Sequence, residues 1–318
     1  MKVLVTGAAG FLGTHVMERL LQGGHTAIAV DNFEGAISRN VKQWYVRETR
    51  QRGRFDFFEN DVSEPTQILE LVRSLQPDSV IHLAALHPVE GGADMPELNR
   101  VNVTGAINVM EACRRASVKR LVLASSWEVY GREKPPFDEL TTPLQPQTPL
   151  GVMKLIAEHY ARVYNHLFRL QVCILRFFPL YGPRQRPDMA FARVARSAFR
   201  KEATTLPENP DSRLDYTFIE DAAAAVAQAL RREDELGVYN VGTGVATRLG
   251  DAVAELEKHL GARAKLGDGA RREALAVWAG TARAKKALGF EAKVNLAEGL
   301  KRYADWYSHM RPTVRMVK

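Results

Sequence analysis

The chain is poor in cysteine. Cys113 and Cys173 are the only two in 318 residues, they lie far apart, and neither stands in a metal-ligand spacing. That argues against a disulfide framework and against a structural zinc site, and it suits a reducing cytoplasm. Long apolar runs are also lacking: none reaches the ~20 residues that span a bilayer, so no membrane partner is expected. No apolar core with a small-residue cleavage site follows the opening MKVLVTG, so a secretion signal is not expected either. Internal repeats, low-complexity segments and any Ser/His/Asp arrangement for hydrolysis are missing. Acidic residues are outnumbered, giving a net charge of +7. The excess is dispersed over Arg47, Arg50, Arg52, Arg54, Arg193, Arg196 and Arg200, among acids and aromatics. Such spacing reads as solvated helix faces, so no nucleic-acid partner is expected; a small phosphate-bearing ligand remains compatible.

What the chain does have is alternation. Short apolar runs at 3–6, 27–30, 55–58, 79–84, 120–125 and 172–177 read as buried parallel strands. Helical patterns lie between them, for instance at 11–22, 66–75, 102–116 and 152–168. The expected fold is α/β, a Rossmann-type doubly wound parallel sheet. Beyond residue 178, Pro179, Gly182, Pro183, Pro187, Pro207 and Pro210 punctuate the chain, while strand-like patches return at 215–219 and 237–241. The expected division is therefore discontinuous: 1–178, rejoined by about 213–243, holds the nucleotide, and 179–212 with 244–318 forms a smaller substrate lobe.

Gly7, Gly10 and Gly13 stand in TGAAGFLG, after the first strand and at the opening of the first helix. The first permits a tight turn, the second a close backbone approach to a pyrophosphate, and the third close helix–strand packing. The helix N-terminus adds N–H groups and a positive dipole end. Asp31, with Asn32, follows about 20 residues on at the end of the second strand, where a carboxylate bonds ribose hydroxyls and repels a 2′-phosphate. The pattern predicts NAD. Read alone, Asp31-Asn32 would be a polar strand end; the glycines decide against that.

From here the sequence resembles an extended short-chain dehydrogenase/reductase, in particular the NAD-dependent nucleotide-sugar 4-epimerases and 4,6-dehydratases. TGAAGFLG, VDNFEG, NDV (60–62), HLAA (82–85), NVTGAINVMEAC (102–113), SSWEVYG (125–131), DYTFIEDAA (215–223) and LGF…LAEGL (288–300) come in that family's order. YGPRQRPDMAF (181–191) is especially similar to UDP-glucose and UDP-glucuronate 4-epimerases. The resemblance implies cofactor contacts from Phe11 and Leu12 beside the glycines, from Asp61 and Val62 at the adenine, and from Leu83, Ala84 and Ala85 along the channel. It implies that Asn102 is structural, Ser126 bonds the reacting sugar oxygen, Lys154 holds the nicotinamide ribose, and Arg184 lies near a nucleotide-sugar, with a UDP-sugar favoured.

The same resemblance exposes departures. A tyrosine four residues before the lysine normally serves as base, but TPLGVMKLIAEH has Leu150 there and Met153 at the usual serine. Pro179 replaces a diphosphate-contacting asparagine, and Leu214 an arginine, with Arg213 one residue early. Arg271-Arg272-Glu273 matches an Arg-x-Gly-Asp pattern loosely, and Gly280 replaces an aspartate. Losing a general base typically costs about 10²–10⁴-fold in rate.

Glu128 stands where dehydratases and decarboxylases carry a glutamate; it is either an acid/base with a raised pKa or a carboxylate bonded to neighbouring backbone. His87, in a loop that reaches substrate in this family, is a second candidate base or a packing residue. Trp127 takes the place of the dehydratases' second acid and shapes the sugar pocket. His82 reads as a buried strand histidine, and His159 with His166 as one helix face, so no metal site is expected. The expected activity is a transient oxidation of a nucleotide-linked sugar with epimerisation as outcome, through an atypical site of Ser126, Glu128, Lys154 and His87. Two alternatives stand beside it: a catalytically silent binding protein, or a dehydratase or oxidoreductase using Glu128 on another substrate. Helices 102–116 and 150–168 match a dimer interface of the family. Val109, Ala112, Leu155, Ala161 and Leu167 fit a homodimer or burial against the sheet.

Overall fold

The computed structural model describes residues 1–88, 94–206, 208–232, 236–266 and 273–316, so Arg271 and Arg272, like Pro207, lie outside it. Six strands form the sheet expected from the apolar runs: β1 (Lys2–Thr6), β2 (Thr26–Val30), β3 (Asp56–Phe58), β4 (Ser79–His82), β5 (Arg120–Ser126) and β6 (Gln171–Phe177). The strand Leu236–Val241 joins them beside β6. The order across the sheet is Leu236–Val241, β6, β5, β4, β1, β2, β3, every pair parallel. Residues such as Leu4, Val80, Val122 and Ile174 are wholly buried there. Two layers of helix cover both faces, which is why the strands read as continuous apolar runs rather than alternating ones.

The first face carries α1 (Phe11–Gln22) and the helix Ile219–Ala229; the second carries α3 (Pro65–Leu75) and the helices Gly105–Arg115 and Pro149–Phe168. α2 (Arg39–Arg50) follows β2. The patch expected near 215–219 does not enter the main sheet. Thr217–Phe218 pairs instead with Leu180–Tyr181, and Arg213–Leu214 pairs with Thr247–Arg248 and Ala276–Val277. These short pairs pack with Phe191, Leu249, Leu256 and Tyr303 into a separate apolar cluster beyond the carboxyl ends of β5 and β6.

Beneath that junction lies a buried ion pair. Arg176 on β6 meets Glu158 of the helix Pro149–Phe168 through two hydrogen bonds, 2.9 and 2.7 Å, with side chains 0% and 1% exposed. Ser125 donates to Glu158 at 2.6 Å, Arg176 donates to the Tyr130 hydroxyl, and Tyr130 donates to Asn240. The chain of bonds ties three neighbouring strands to one helix. Of the helix residues considered for a dimer seam, Val109, Ala112 and Ala161 are fully buried against the sheet. Leu167, from the same set, lies on the outward face of Pro149–Phe168 with Val152, Tyr160, Val163 and Phe168, each more than 40% exposed.

Candidate active site

The turn after β1 is possible only with glycine. Gly7 has φ +71°, and a Cβ there would lie 2.6 Å from the Ala84 backbone nitrogen. At Gly13 a Cβ would lie 2.0 Å from the Gly7 carbonyl oxygen. The backbone therefore closes into a cradle at the start of α1, whose cap Gly10 offers no side-chain acceptor to the first amides. The positive end of the helix opens onto a cavity of about 790 Å³.

At the tip of β2 the Asp31 carboxylate is fixed from three sides. Oδ2 accepts from Ala9 N at 3.0 Å; Oδ1 accepts from Phe33 N at 2.8 Å and from Lys42 Nζ at 3.0 Å. Gly7, Gly10, Phe11, Leu12, Gly13, Asp31 and Asn32 all line this end of the cavity, and so do Asp61, Val62, Leu83, Ala84 and Ala85. A cradle that a Cβ would fill, a helix N-terminus and a buried carboxylate 22 residues along from Ala9 form a donor and acceptor set that fits a dinucleotide. Lys42, unmarked by any motif, is the sequence's omission here.

Asn102 sits in a turn widened to the π form, Arg100–Thr104. Its amide donates to Leu86 O and its carbonyl accepts from Leu86 N, both at 2.8 Å, pinning the loop that carries His87. Across the cavity, Ser126 ends β5 and its hydroxyl accepts from Glu128 N at 3.2 Å. Thr148 caps the helix Pro149–Phe168 by accepting from Gly151 N, and its own hydroxyl donates to Glu128 Oε2. Gly151 is obligatory, because a Cβ there would stand 2.5 Å from the Glu128 carbonyl oxygen. One turn along, the buried Lys154 donates to Ala124 O at 2.9 Å.

Burial drives the electrostatics. It raises Glu128 above the ordinary carboxylate value, against the opposing hydrogen bonds from Thr148 and Ser126 and the charges of Arg186 and Lys154. It lowers Lys154 to about 8, with Glu128 and Glu158 opposing. It also lowers His87 well below its usual value, helped by Arg186 and Lys154, so the imidazole is neutral at physiological pH. His82 is buried and bonded to Thr6 Oγ1 at 2.8 Å, and it does not line the cavity.

Leu150, Trp127 and Pro179 line the cavity with these groups, as does Leu214. Two of the expected substrate residues, Arg184 and Arg213, do not line the cavity. Arg213 is exposed on the small sheet, and only its neighbour Leu214 reaches the cavity. Arg184 points away and bonds Glu18 on α1 at 2.6 Å; Arg186, two residues on, reaches the cavity instead, with Asp188 accepting from its Nε and Nη2 at 3.1 Å each. The segment PRQRPD marked the right loop, but the left-handed turn at Arg184 (φ +66°) decides which arginine faces in, and no spacing rule shows that. Among the described residues no group of three or more His, Cys, Asp or Glu is arranged for a metal ion, and no helix is long and apolar enough to cross a membrane.

A family model described as the NAD dependent epimerase/dehydratase family matches residues 3–242. The chain is 30% identical over 321 residues to a UDP-glucuronate 4-epimerase of Thermodesulfobacterium geofontis, spanning 99% of this chain and 98% of that protein. It is 32% identical to an uncharacterized UDP-glucose epimerase of Bacillus subtilis, spanning 94% and 96%. The structure of a UDP-glucuronic acid 4-epimerase from Bacillus cereus in complex with UDP-glucuronic acid and NAD superposes with a TM-score of 0.89. The identity is 30%, and the match covers 98% of this chain and 100% of that one.

Proposed function

The chain belongs to the NAD-dependent epimerase/dehydratase family, and from that premise we propose that it inverts a hydroxyl-bearing carbon of a UDP-linked sugar, UDP-glucuronate being the first to test. One observation carries the reading: Ser126, Glu128 and Lys154 share one cavity with the glycine cradle at one side and Arg186 at the other. NAD, when bound, supplies the hydride acceptor for the carbon being oxidised. Ser126 Oγ bonds the reacting oxygen, Glu128 takes the hydroxyl proton on a carboxylate oxygen, and Lys154 holds the cofactor ribose. Arg186 faces the anionic part of the sugar, which favours a uronate. Glu128 is preferred to His87 as base because its raised pKa brings it towards neutrality, whereas burial moves the histidine away from it.

Leu150 supports a second reading, a protein that binds NAD and UDP-sugar without turnover, since leucine exchanges no proton. Incubation with NAD and UDP-glucuronate, with chromatographic separation of UDP-galacturonate, tells the two apart. Leu150→Tyr restores the missing phenol one turn before Lys154 and is expected to raise turnover at least tenfold, as part of the rate a base contributes. No product from either protein, with any UDP-, dTDP- or GDP-sugar, removes the epimerase reading.

Two further parts belong to this proposal. The exposed stripe Val152, Tyr160, Val163, Leu167 and Phe168 supports a homodimer through the helix Pro149–Phe168; a monomeric mass in sedimentation at micromolar concentration would remove it. Cys113 and Cys173 are buried free thiols, which supports a reducing cytoplasmic setting.

A further inference from the structure

The cofactor helix and the substrate-side loop are joined by contacts that no part of the proposed chemistry uses. Phe11, His15 and Glu18 lie four and three residues apart on α1 and so share one face. Phe11 lines the cavity at the N-terminal end. One turn on, His15 Nε2 meets the Pro183 carbonyl oxygen at 3.0 Å; burial lowers this imidazole to about 3, so it is neutral and donates from Nε2. A further turn on, Glu18 accepts from Arg184 Nη2 at 2.6 Å, with side chains only 17% and 12% exposed. The Arg184 guanidinium also lies over the Tyr45 ring of α2, 5.6 Å from its centre.

The backbone at Arg184 is left-handed, a conformation that non-glycine residues hold only when their surroundings over-determine it. Its consequence is directional. Arg184 turns out to α1 and α2, and the next two side chains, Gln185 and Arg186, turn into the cavity. Gln185 is 8% exposed and its Oε1 is buried without a partner among the described residues, as a group awaiting a ligand would be.

We propose that Arg184 is a positioning residue: its ion pair with Glu18, seconded by His15 on Pro183, fastens the strap 182–189 to the cofactor helix and so holds Gln185 and Arg186 against an anionic substrate. The substrate half of this statement rests on the epimerase reading; the fastening does not.

The experiment therefore has two arms. In the ligand-free arm, wild-type protein and Glu18→Gln are digested with trypsin and cleavage at Arg184–Gln185 is followed by mass spectrometry; Arg186–Pro187 resists the protease. Loss of the pair is expected to speed the 184–185 cut about tenfold, and Glu18→Asp, which keeps the carboxylate, to restore most of the protection. An unchanged cleavage rate in Glu18→Gln overturns the fastening. In the second arm, UDP-glucuronate is titrated into NAD-loaded protein. Glu18→Gln is expected to weaken the sugar about tenfold and NAD less than twofold. Equal losses for both ligands, or none for the sugar despite faster cleavage, overturn the positioning role. Failure of the wild type to bind UDP-glucuronate would count against the epimerase reading, and the cleavage arm would still decide the fastening.

Discussion

Glu128→Gln is expected to lower sugar turnover about 10²–10⁴-fold while leaving NAD binding intact, because the amide keeps the shape and loses the proton-accepting oxygen. The wild-type pH profile gives a second signature. Activity needs the ionised carboxylate, so it falls as pH falls through the Glu128 pKa. That limb lies above the ordinary carboxylate value because burial raises it. Removing the Thr148 donor by Thr148→Val takes away a bond that favours the charged form and moves the limb to higher pH. Stability runs the other way. A carboxyl whose folded pKa is raised contributes stability below its unfolded value and loses it as pH rises through the folded one, so at neutral pH the glutamine variant should unfold no more easily than wild type. Wild-type turnover in the variant would rule out Glu128 as base and leave His87 to be tested by His87→Ala.

The largest expected effect on stability is at Glu158. Removing one partner of a fully buried ion pair leaves the other charge uncompensated, a cost of about 3–5 kcal/mol. Glu158→Ala strands Arg176, which is wholly buried, and deprives Ser125 of its acceptor. Replacing both charges, Glu158→Leu with Arg176→Met, should recover much of the loss, since paired apolar groups need no compensation. Urea unfolding measures both. A loss under about 1 kcal/mol for the single variant would mean that water or a rearranged neighbour reaches Arg176. Glu158 also opposes the downward pull of burial on Lys154, so the single variant should lower the lysine's pKa further.

The central sheet was legible because burial on both faces writes a strand as an unbroken apolar run, and the runs at 3–6, 27–30 and 172–177 meet their strands within one residue. The glycine cradle was legible because its geometry admits no other residue at Gly7 and Gly13. Thr217–Phe218 misled because two residues of strand leave no period to read, and pairing with Leu180–Tyr181 is a tertiary choice. Val109 and Ala112 were open to two readings because an apolar helix face does not say whether a sheet or another molecule covers it. Arg184 and Arg186 were indistinguishable in sequence, since their directions follow from one left-handed residue.

Leu150 is buried at 5% in the first turn of its helix, beside a cap and a glycine that owe nothing to a phenol. Leucine is a good helix former and contributes apolar burial of its own there. The first turn of this helix thus rests on its Thr148 cap, on Gly151 and on the buried leucine, so the chemistry of position 150 can be varied on a scaffold whose other supports stay in place.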